Sequence, residues 1–384
     1  MKVVAQVYHN TILSAIGGHE YVVRQFCKKL AEKQYKVIIV CALPASKMCT
    51  LDTNNITFVG IPAFKLHSRI HVIRPSCLRQ LIKLVKYTDI IHVHSPDSPF
   101  TFFVALLAKL VRKKLVVTIL AYADDLKHHD KVKRLYGLIT AILQTISAQI
   151  SNTIHVESVY DLIKLYKFKN KIVLIPPGIN ALFFSKKSYS KRVNTANEAN
   201  SKPIILYIGR IHRAKGIDVL LKACHLLIKK GVAYRLVVIG SDDGYLASVY
   251  KLIKELGLED NVEILGRVSE KEKIDLIDNA HVIVVPSLSD IVEAYSLVTS
   301  EAWSRGKWVV ASRVGALKYR VKDGLNGYLV KPGDPVDLAS RLAMALKNRY
   351  LHPKMVPKDV WSWDKTISVI TTIYNKLLVT SKRK

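Results

Sequence analysis

Acidic side chains are scarce in this 384-residue chain: 30 Asp and Glu stand against 59 Lys and Arg, a formal net charge of +29. Cysteine is also sparse. Cys27, Cys41, Cys49, Cys77 and Cys224 are odd in number and form no C-x-x-C, which excludes a disulfide framework and a structural zinc site. No signal-peptide pattern opens the chain at MKVVAQVYHNT. Long apolar runs are missing as well. Residues 100–111 are too short to span a bilayer, and the uncharged stretch 135–154 carries Thr, Gln, Ser and Asn on several faces, so it reads as a buried or surface-lying helix. These absences make the expected setting reduced, soluble and cytoplasmic. No zinc-finger spacing, basic heptad or aromatic RNA-binding signature is present, so nucleic acid is not the expected partner of the positive charge.

What is present is an ordinary globular composition, 49% hydrophobic and 23% charged. The basic excess is +15 over residues 1–180 and +14 over 181–384, so it is no tail or single stripe. Strand-like apolar runs alternate with helical patterns. The first half carries them at 2–8, 36–41, 56–61, 89–93, 114–119, 152–156 and 171–175. After a polar stretch at 185–202 the alternation restarts at 204–208, 235–239, 261–264, 281–285 and 307–311. The runs are continuously apolar, as parallel strands covered on both faces require. The expected fold class is α/β, with two Rossmann-like domains facing each other across a cleft: residues 1–180, residues 181–362, and a C-terminal helix and basic tail at 363–384 crossing back to the first domain.

Three stretches carry chemistry. In 286–302, Glu293 precedes a helix and Glu301 sits about two turns into it. The amides of Tyr295, Ser296 and Leu297 then lie at a helix N-terminus, where unpaired N–H groups and the helix dipole suit a phosphate. In 204–216, Arg210 and Lys215 leave the end of a strand on a loop containing Gly209 and Gly216, and both cations suit phosphate oxygens. Gly17 and Gly18 open a helix after the first strand, yet they form no GxGxxG, so a nicotinamide-binding fingerprint is not supported. The pairs Asp124-Asp125 and Asp242-Asp243 read as loop or capping residues, and no metal site is expected.

GGHE at 17–20, IPPGIN at 175–180, GRIHRAKG at 209–216, the two glutamates seven apart, 324–334 and 361–378 together resemble the family-4 retaining glycosyltransferases of the GT-B fold. The resemblance implies transfer of a sugar from a nucleotide-sugar, UDP- or GDP-linked, with retention and without a metal or other cofactor. It implies that Arg210 and Lys215 hold the donor diphosphate. Glu293 would contact the transferred sugar, Glu301 the ribose, and Gly17 and Gly18 would close over the donor. Several positions depart from the family pattern. Leu120 stands where a histidine is usual, with Asp124 and His128 as substitutes on the acceptor side. Tyr295 replaces Phe, Ser296 replaces Gly, Trp308 stands at a common Pro, and Tyr319 stands near a usual acidic residue. His92, at the end of a strand, is either an acceptor-side residue or a satisfied core histidine. Basic runs at 110–115 and 128–137 beside the uncharged stretch suggest a lipid-linked or membrane-associated glycan acceptor, reached from an anionic membrane surface. The alternatives are a nucleotide-sugar epimerase-like enzyme on the same fold, or a catalytically weakened sugar-nucleotide-binding protein.

Overall fold

The computed structural model describes residues 1–9, 17–43, 49–53, 55–65, 71–122, 131–185, 202–348 and 351–379. The polar stretch at 185–202 lies, but for its two ends, outside them, as do Asp124, Asp125 and His128. The chain divides into two compact units, residues 1–178 with 362–384, and residues 179–361.

The first unit holds β1 (Val3–Tyr8), β2 (Lys36–Leu43), β3 (Cys49–Thr53), β4 (Ile56–Lys65), β5 (His71–Ile73), β6 (Ile90–His94), β7 (Lys114–Thr118), β8 (Thr153–Val156) and β9 (Ile172–Leu174). They form one sheet in the order β3-β4-β2-β1-β6-β7-β8-β9, with β5 beside β4. The ladders from β4 through β2, β1, β6, β7 and β8 to β9 are parallel, while β3 and β5 join β4 antiparallel. The edge strands β3 and β5 are absent from the sequence reading. β3 is exposed at all five residues and has no apolar run to announce it. Helices α1 (Gly18–Glu32), α2 (Leu78–Tyr87), α3 (Pro99–Leu110), α4 (Lys131–Ile150) and α5 (Val159–Lys164) connect the strands. Helix α3 starts on a capping box, in which Ser98 and Thr101 satisfy each other's amides, with Pro99 in the first turn.

The second unit holds β10 (Ile204–Ile208), β11 (Arg235–Ile239), β12 (Val262–Gly266), β13 (Val282–Val285), β14 (Trp308–Ser312) and β15 (Gly327–Val330), all parallel, in the order β12-β11-β10-β13-β14-β15. The chief helices are α6 (Ile217–Lys229), α7 (Leu246–Glu255), α8 (Glu270–Asn279), α9 (Leu297–Ser304), α10 (Leu317–Arg320) and α11 (Pro335–Lys347). Successive strand residues bury on opposite faces. Ile205 and Tyr207 pack with α6, α7 and α11, while Leu206 packs with Ile277 and Trp303 on the other side. That two-sided burial is why the runs are apolar without alternation. The chain winds from β10 to β12 on one side and then crosses to β13. The loops after β10 and β13 therefore diverge from neighbouring strand ends, the place where open α/β sheets bind ligands.

The first unit buries an unusual amount of polar material. The His92 and His94 rings stack at 4.3 Å. His92 bonds the Tyr374 hydroxyl of the C-terminal helix (Trp363–Val379) at 2.6 Å and Thr118 Oγ1 at 2.7 Å. His94 bonds Gln6 at 2.7 Å, and His155 bonds Thr118 at 2.9 Å and the Ile175 carbonyl at 2.8 Å. This corrects His92 as an acceptor-side residue: it is fully buried, and both ring nitrogens are used inside the unit. Burial pushes His155 down to about 4, and burial plus the neighbouring rings push His92 and His94 well below the ordinary range. Glu157 and Asp161 are buried close by in sequence. Burial raises Glu157 to about 8, with Asp161 adding to it, and raises Asp161 to about 7 against hydrogen bonds that lower it.

The two groups act on stability with opposite sign. Below about pH 6.5 the unfolded chain protonates the three histidines and the folded chain does not, so stability falls as pH falls. The carboxyls stay protonated in the folded chain up to about 8 and about 7 but ionise near 4.5 and 3.8 when unfolded, so their stability is lost as pH rises through the folded values. Above neutrality only the carboxyls act. Thermal unfolding of Glu157→Gln should therefore show a smaller drop in Tm between about pH 6.5 and about pH 8.5 than the unaltered chain. Below about pH 6 it should show a steeper one, and parallel profiles for the two proteins would refute the assignment.

Candidate active site

The loops after β10 and β13 bring together two of the groups expected from sequence. Lys215 donates to Glu293 Oε1 at 2.6 Å and reaches the Val292 carbonyl at 3.3 Å. Ser287, at the end of β13, donates to the same carboxylate oxygen at 2.7 Å. Glu293 is 3% exposed and Lys215 21%, so a nearly buried carboxylate fixes an ammonium that still reaches solvent. Gly216 follows Lys215 at φ +69° and starts α6. A Cβ there would overlap the Pro286 carbonyl oxygen, so only glycine lets the two loops approach this closely.

Between the glutamates lies the start of α9. No side chain caps its amino end, and Ser296 stands there at φ +73°, in the left-handed region that favours glycine. The expected glycine-to-serine departure therefore falls at the one place where the missing side chain matters, costing about 1 kcal/mol. The turn is held by Arg320, which is 5% exposed. Its guanidinium donates to the carbonyls of Tyr295 and Ser296, both at 2.9 Å, to Thr299 Oγ1 at 2.7 Å and to Ser300 Oγ at 2.6 Å. Asp359 pairs with Nε at 2.8 Å, and the Tyr295 ring lies 4.0 Å from the guanidinium carbon. Arg320 thereby fixes the backbone of the turn that opens the helix. The sequence reading missed it. Its neighbour Tyr319 drew the attention, but Tyr319 is exposed and Arg320 is the one turned inward.

Glu301, within α9, is 5% exposed and accepts from Lys273 of α8 at 2.8 Å. Burial raises the Glu301 carboxyl against the lowering charge of Lys273, and the two glutamates Glu301 and Glu270 together push Lys273 up despite its own burial. Lys273 is a second residue that sequence did not single out. Its only sequence signal is the capping box of α8, where Ser269 and Glu272 satisfy each other's amides one residue before it. Arg210 pairs with Asp243 at 2.6 Å, and both are about 40% exposed. A pair this wet contributes little and exchanges partners readily. Asp242 caps α7 by accepting from the amides of Tyr245 and Leu246, as the capping reading of this pair expects. Trp308 fills the core against Tyr328, with ring centroids at 5.7 Å, and donates to the Leu351 carbonyl at 2.7 Å, which accounts for its size.

In the first unit, Gly17 precedes α1 at an ordinary φ of −87° and Gly18 opens the helix. A Cβ on Gly17 would meet the Glu20 carboxylate, and one on Gly18 would meet nothing. The glycines therefore keep the helix start low, without a backbone strain of their own. Leu120 lies just past β7, and its carbonyl accepts from Gln144 at 3.4 Å.

Comparison with known proteins bears on this geometry. The profile of "Glycosyltransferase Family 4" matches residues 16–181, and that of "Glycosyl transferases group 1" matches residues 190–358. A D-inositol 3-phosphate glycosyltransferase of Nocardia farcinica is 27% identical over 249 residues, covering 62% of this chain and 54% of that protein. One of Mycolicibacterium vanbaalenii is 32% identical over 221 residues, covering 54% and 48%. The chain thus spans about half the length of the curated relatives it matches. Among solved structures, sucrose-phosphate synthase from Thermosynechococcus elongatus superposes with a TM-score of 0.75 at 20% identity, covering 99% of this chain and 100% of that one. Anabaena HepE in complex with UDP and glucose superposes at 0.70 and 15% identity, covering 97% and 99%. These two likenesses establish the GT-B fold.

Two substitutions check the turn. Ser296→Gly should raise stability by roughly 0.5–1 kcal/mol in denaturant unfolding, because it relieves a left-handed serine. Arg320→Met should lower it by about 3 kcal/mol or more, since two carbonyls and Asp359 lose their donor. A stabilising Arg320→Met would remove the guanidinium from its assigned role.

Proposed function

The chain belongs to the family-4 glycosyltransferases, and from that premise we propose that it transfers a sugar from a nucleotide-sugar donor, UDP- or GDP-linked, to a lipid-linked or membrane-associated glycan acceptor, with retention at the anomeric carbon. The observation that carries this is the Lys215–Glu293 pair beside the uncapped start of α9. It supplies a fixed cation, a buried carboxylate and a helix start that no side chain caps, from two adjacent strand ends.

In this proposal, Arg210 and Lys215 neutralise the diphosphate as it departs. The amides of Ser296 and Leu297, with Tyr295 before them, add the positive end of the α9 dipole. One cation fixed by Glu293, one that exchanges partners readily and a helix terminus supply the charge stabilisation that a divalent metal provides in other transferases, so we include metal independence in the proposal. Glu293 lies at the reacting sugar and holds Lys215 in place before the donor arrives, so the charge need not reorganise during the reaction. Glu301 accepts from the ribose, and Gly17 and Gly18 are the glycine loop that the resemblance assigns to the donor. Asp124 and His128 are the acceptor-side candidates. The acceptor's membrane association is supported by the basic runs and by the uncharged stretch 135–154.

Incubation with a panel of UDP-, GDP- and ADP-sugars, with chelator present, should release nucleotide from one of them. Saturating that nucleotide should stabilise the protein by about 2–4 kcal/mol. Glu293→Gln and Lys215→Ala should each lower kcat/KM by about a hundredfold or more. Full activity in either variant, or strict dependence on an added divalent cation, would refute the assigned roles.

A further inference from the structure

Helix α4 is inside out. Its inward face is made of small and polar residues: Gly137, Thr140, Ala141, Gln144, Ser147 and Ala148 are all buried. Thr140 donates to the Gly137 carbonyl and Gln144 to that of Leu120, so two of these polar side chains bond main-chain carbonyls. Its outward face carries Leu135, Leu138, Ile139 and Ile142, each between 48% and 60% exposed. These four follow the i, i+3, i+4, i+7 spacing of one helical stripe, about 10 Å long. A helix on a water-facing surface normally shows the reverse arrangement. No charged residue interrupts the chain from 135 to 156.

Positive charge stands at both ends of the stripe. Arg134 is exposed one residue before Leu135. Past the other end, Lys171 donates to the carbonyls of Gln149 and Ser151 at 2.7 and 3.2 Å. Lys109 stands in the last turn of α3, which packs against α4, and burial followed by the charge of Lys109 pushes the Lys171 ammonium down. Beside the helix, Lys167 donates to the Tyr122 hydroxyl at 3.4 Å, and that hydroxyl bonds Thr145 of α4 at 2.7 Å. Ile163 and Tyr166, on the segment bearing these lysines, are exposed as well. Residues 131–185 hold seven Lys and Arg and only two acids, Glu157 and Asp161, and both acids are buried. Among the described residues of this segment, no exposed acid repels an anion.

We propose that the outward stripe of α4, with Arg134 at one end and Lys109, Lys167 and Lys171 toward the other, docks on an anionic lipid bilayer surface. Among the described residues no helix is long and apolar enough to cross a membrane. Association is therefore by burial of the stripe at the headgroup boundary, with the cations on the lipid phosphates. A purely protein partner would not need cations at both ends with no exposed acid between them. The choice of a lipid partner rests on the membrane-associated acceptor argued above, while the unusual face of α4 stands without it.

The test is flotation of the full chain with vesicles of phosphatidylcholine, with and without phosphatidylglycerol. The expected result is binding to the anionic vesicles, reduced by salt, and at least about tenfold weaker in Leu138→Ser/Ile142→Ser and in Lys167→Glu/Lys171→Glu. Unchanged Tm in the serine pair shows that the stripe is not part of the core. Equal binding to both vesicle types, no binding, or unaltered binding by both variants would overturn the proposal. So would a dimer of the unaltered chain in light scattering that the serine pair dissolves without any vesicle binding by either. Donor hydrolysis in solution separates the two proposals. Vesicle binding without hydrolysis of any nucleotide-sugar refutes the transferase reading alone, and hydrolysis without vesicle binding refutes the docking face alone.

Discussion

One buried guanidinium holds the shape of the second unit's strand-end loops. Arg320 sits among two main-chain carbonyls, three hydroxyls, a carboxylate and two aromatic rings. It ties α10 to the turn before α9 and fixes a serine in a conformation that serine disfavours. No side chain caps the amino end of α9, which is the state a phosphate requires. The charge of Arg320 is largely spent on this internal work. It is a structural cation in a protein whose excess of cations invites functional readings.

The other cations divide by exposure. Lys215 and Lys273 are each fixed by a nearly buried glutamate, Glu293 and Glu301 respectively, and so are placed before any ligand binds. Fixed charges cost no reorganisation at the moment they are needed, whereas a mobile surface lysine must be immobilised first. Arg210 is different. Its exposed pairing with Asp243 is easily exchanged, so it can meet an incoming anion while Lys215 waits in position. The scarcity of acids elsewhere on the chain leaves most remaining Lys and Arg unbalanced. In the first unit seven of these cations lie in residues 131–185, the segment in which α4 turns apolar residues outward.

The first unit solves a different problem. Its sheet centre carries three stacked or adjoining histidines and a glutamine beneath the C-terminal helix, and every ring nitrogen of His92 and His155 has a partner. A satisfied polar network inside a sheet fixes one register and one helix position, where an apolar core would tolerate several. Tyr374 is the link, because its hydroxyl meets both His92 and Gln6. The C-terminal helix is thereby specified by a hydrogen bond as well as by burial.

Much of this was legible along the chain. The parallel sheets followed from continuous apolar runs, because two-sided burial leaves no polar position in a strand. The glutamate spacing, the Gly216 turn and the Asp242 cap are local, and local geometry is written in consecutive residues. The edge strands β3 and β5 were not legible, since an exposed strand takes its hydrogen bonds from a neighbour and needs no pattern of its own. Arg320 and Lys273 were not legible either, as each acquires its role from partners 20 or more residues away. His92 looked equally suited to a surface or a core, and only the fold, which lays Tyr374 and Thr118 on its two nitrogens, decided between them. The direction of α4 was decided the same way. Sequence showed an uncharged helix with polar residues on several faces, and only the tertiary structure, which buries its small side chains, turned Leu135, Leu138, Ile139 and Ile142 outward.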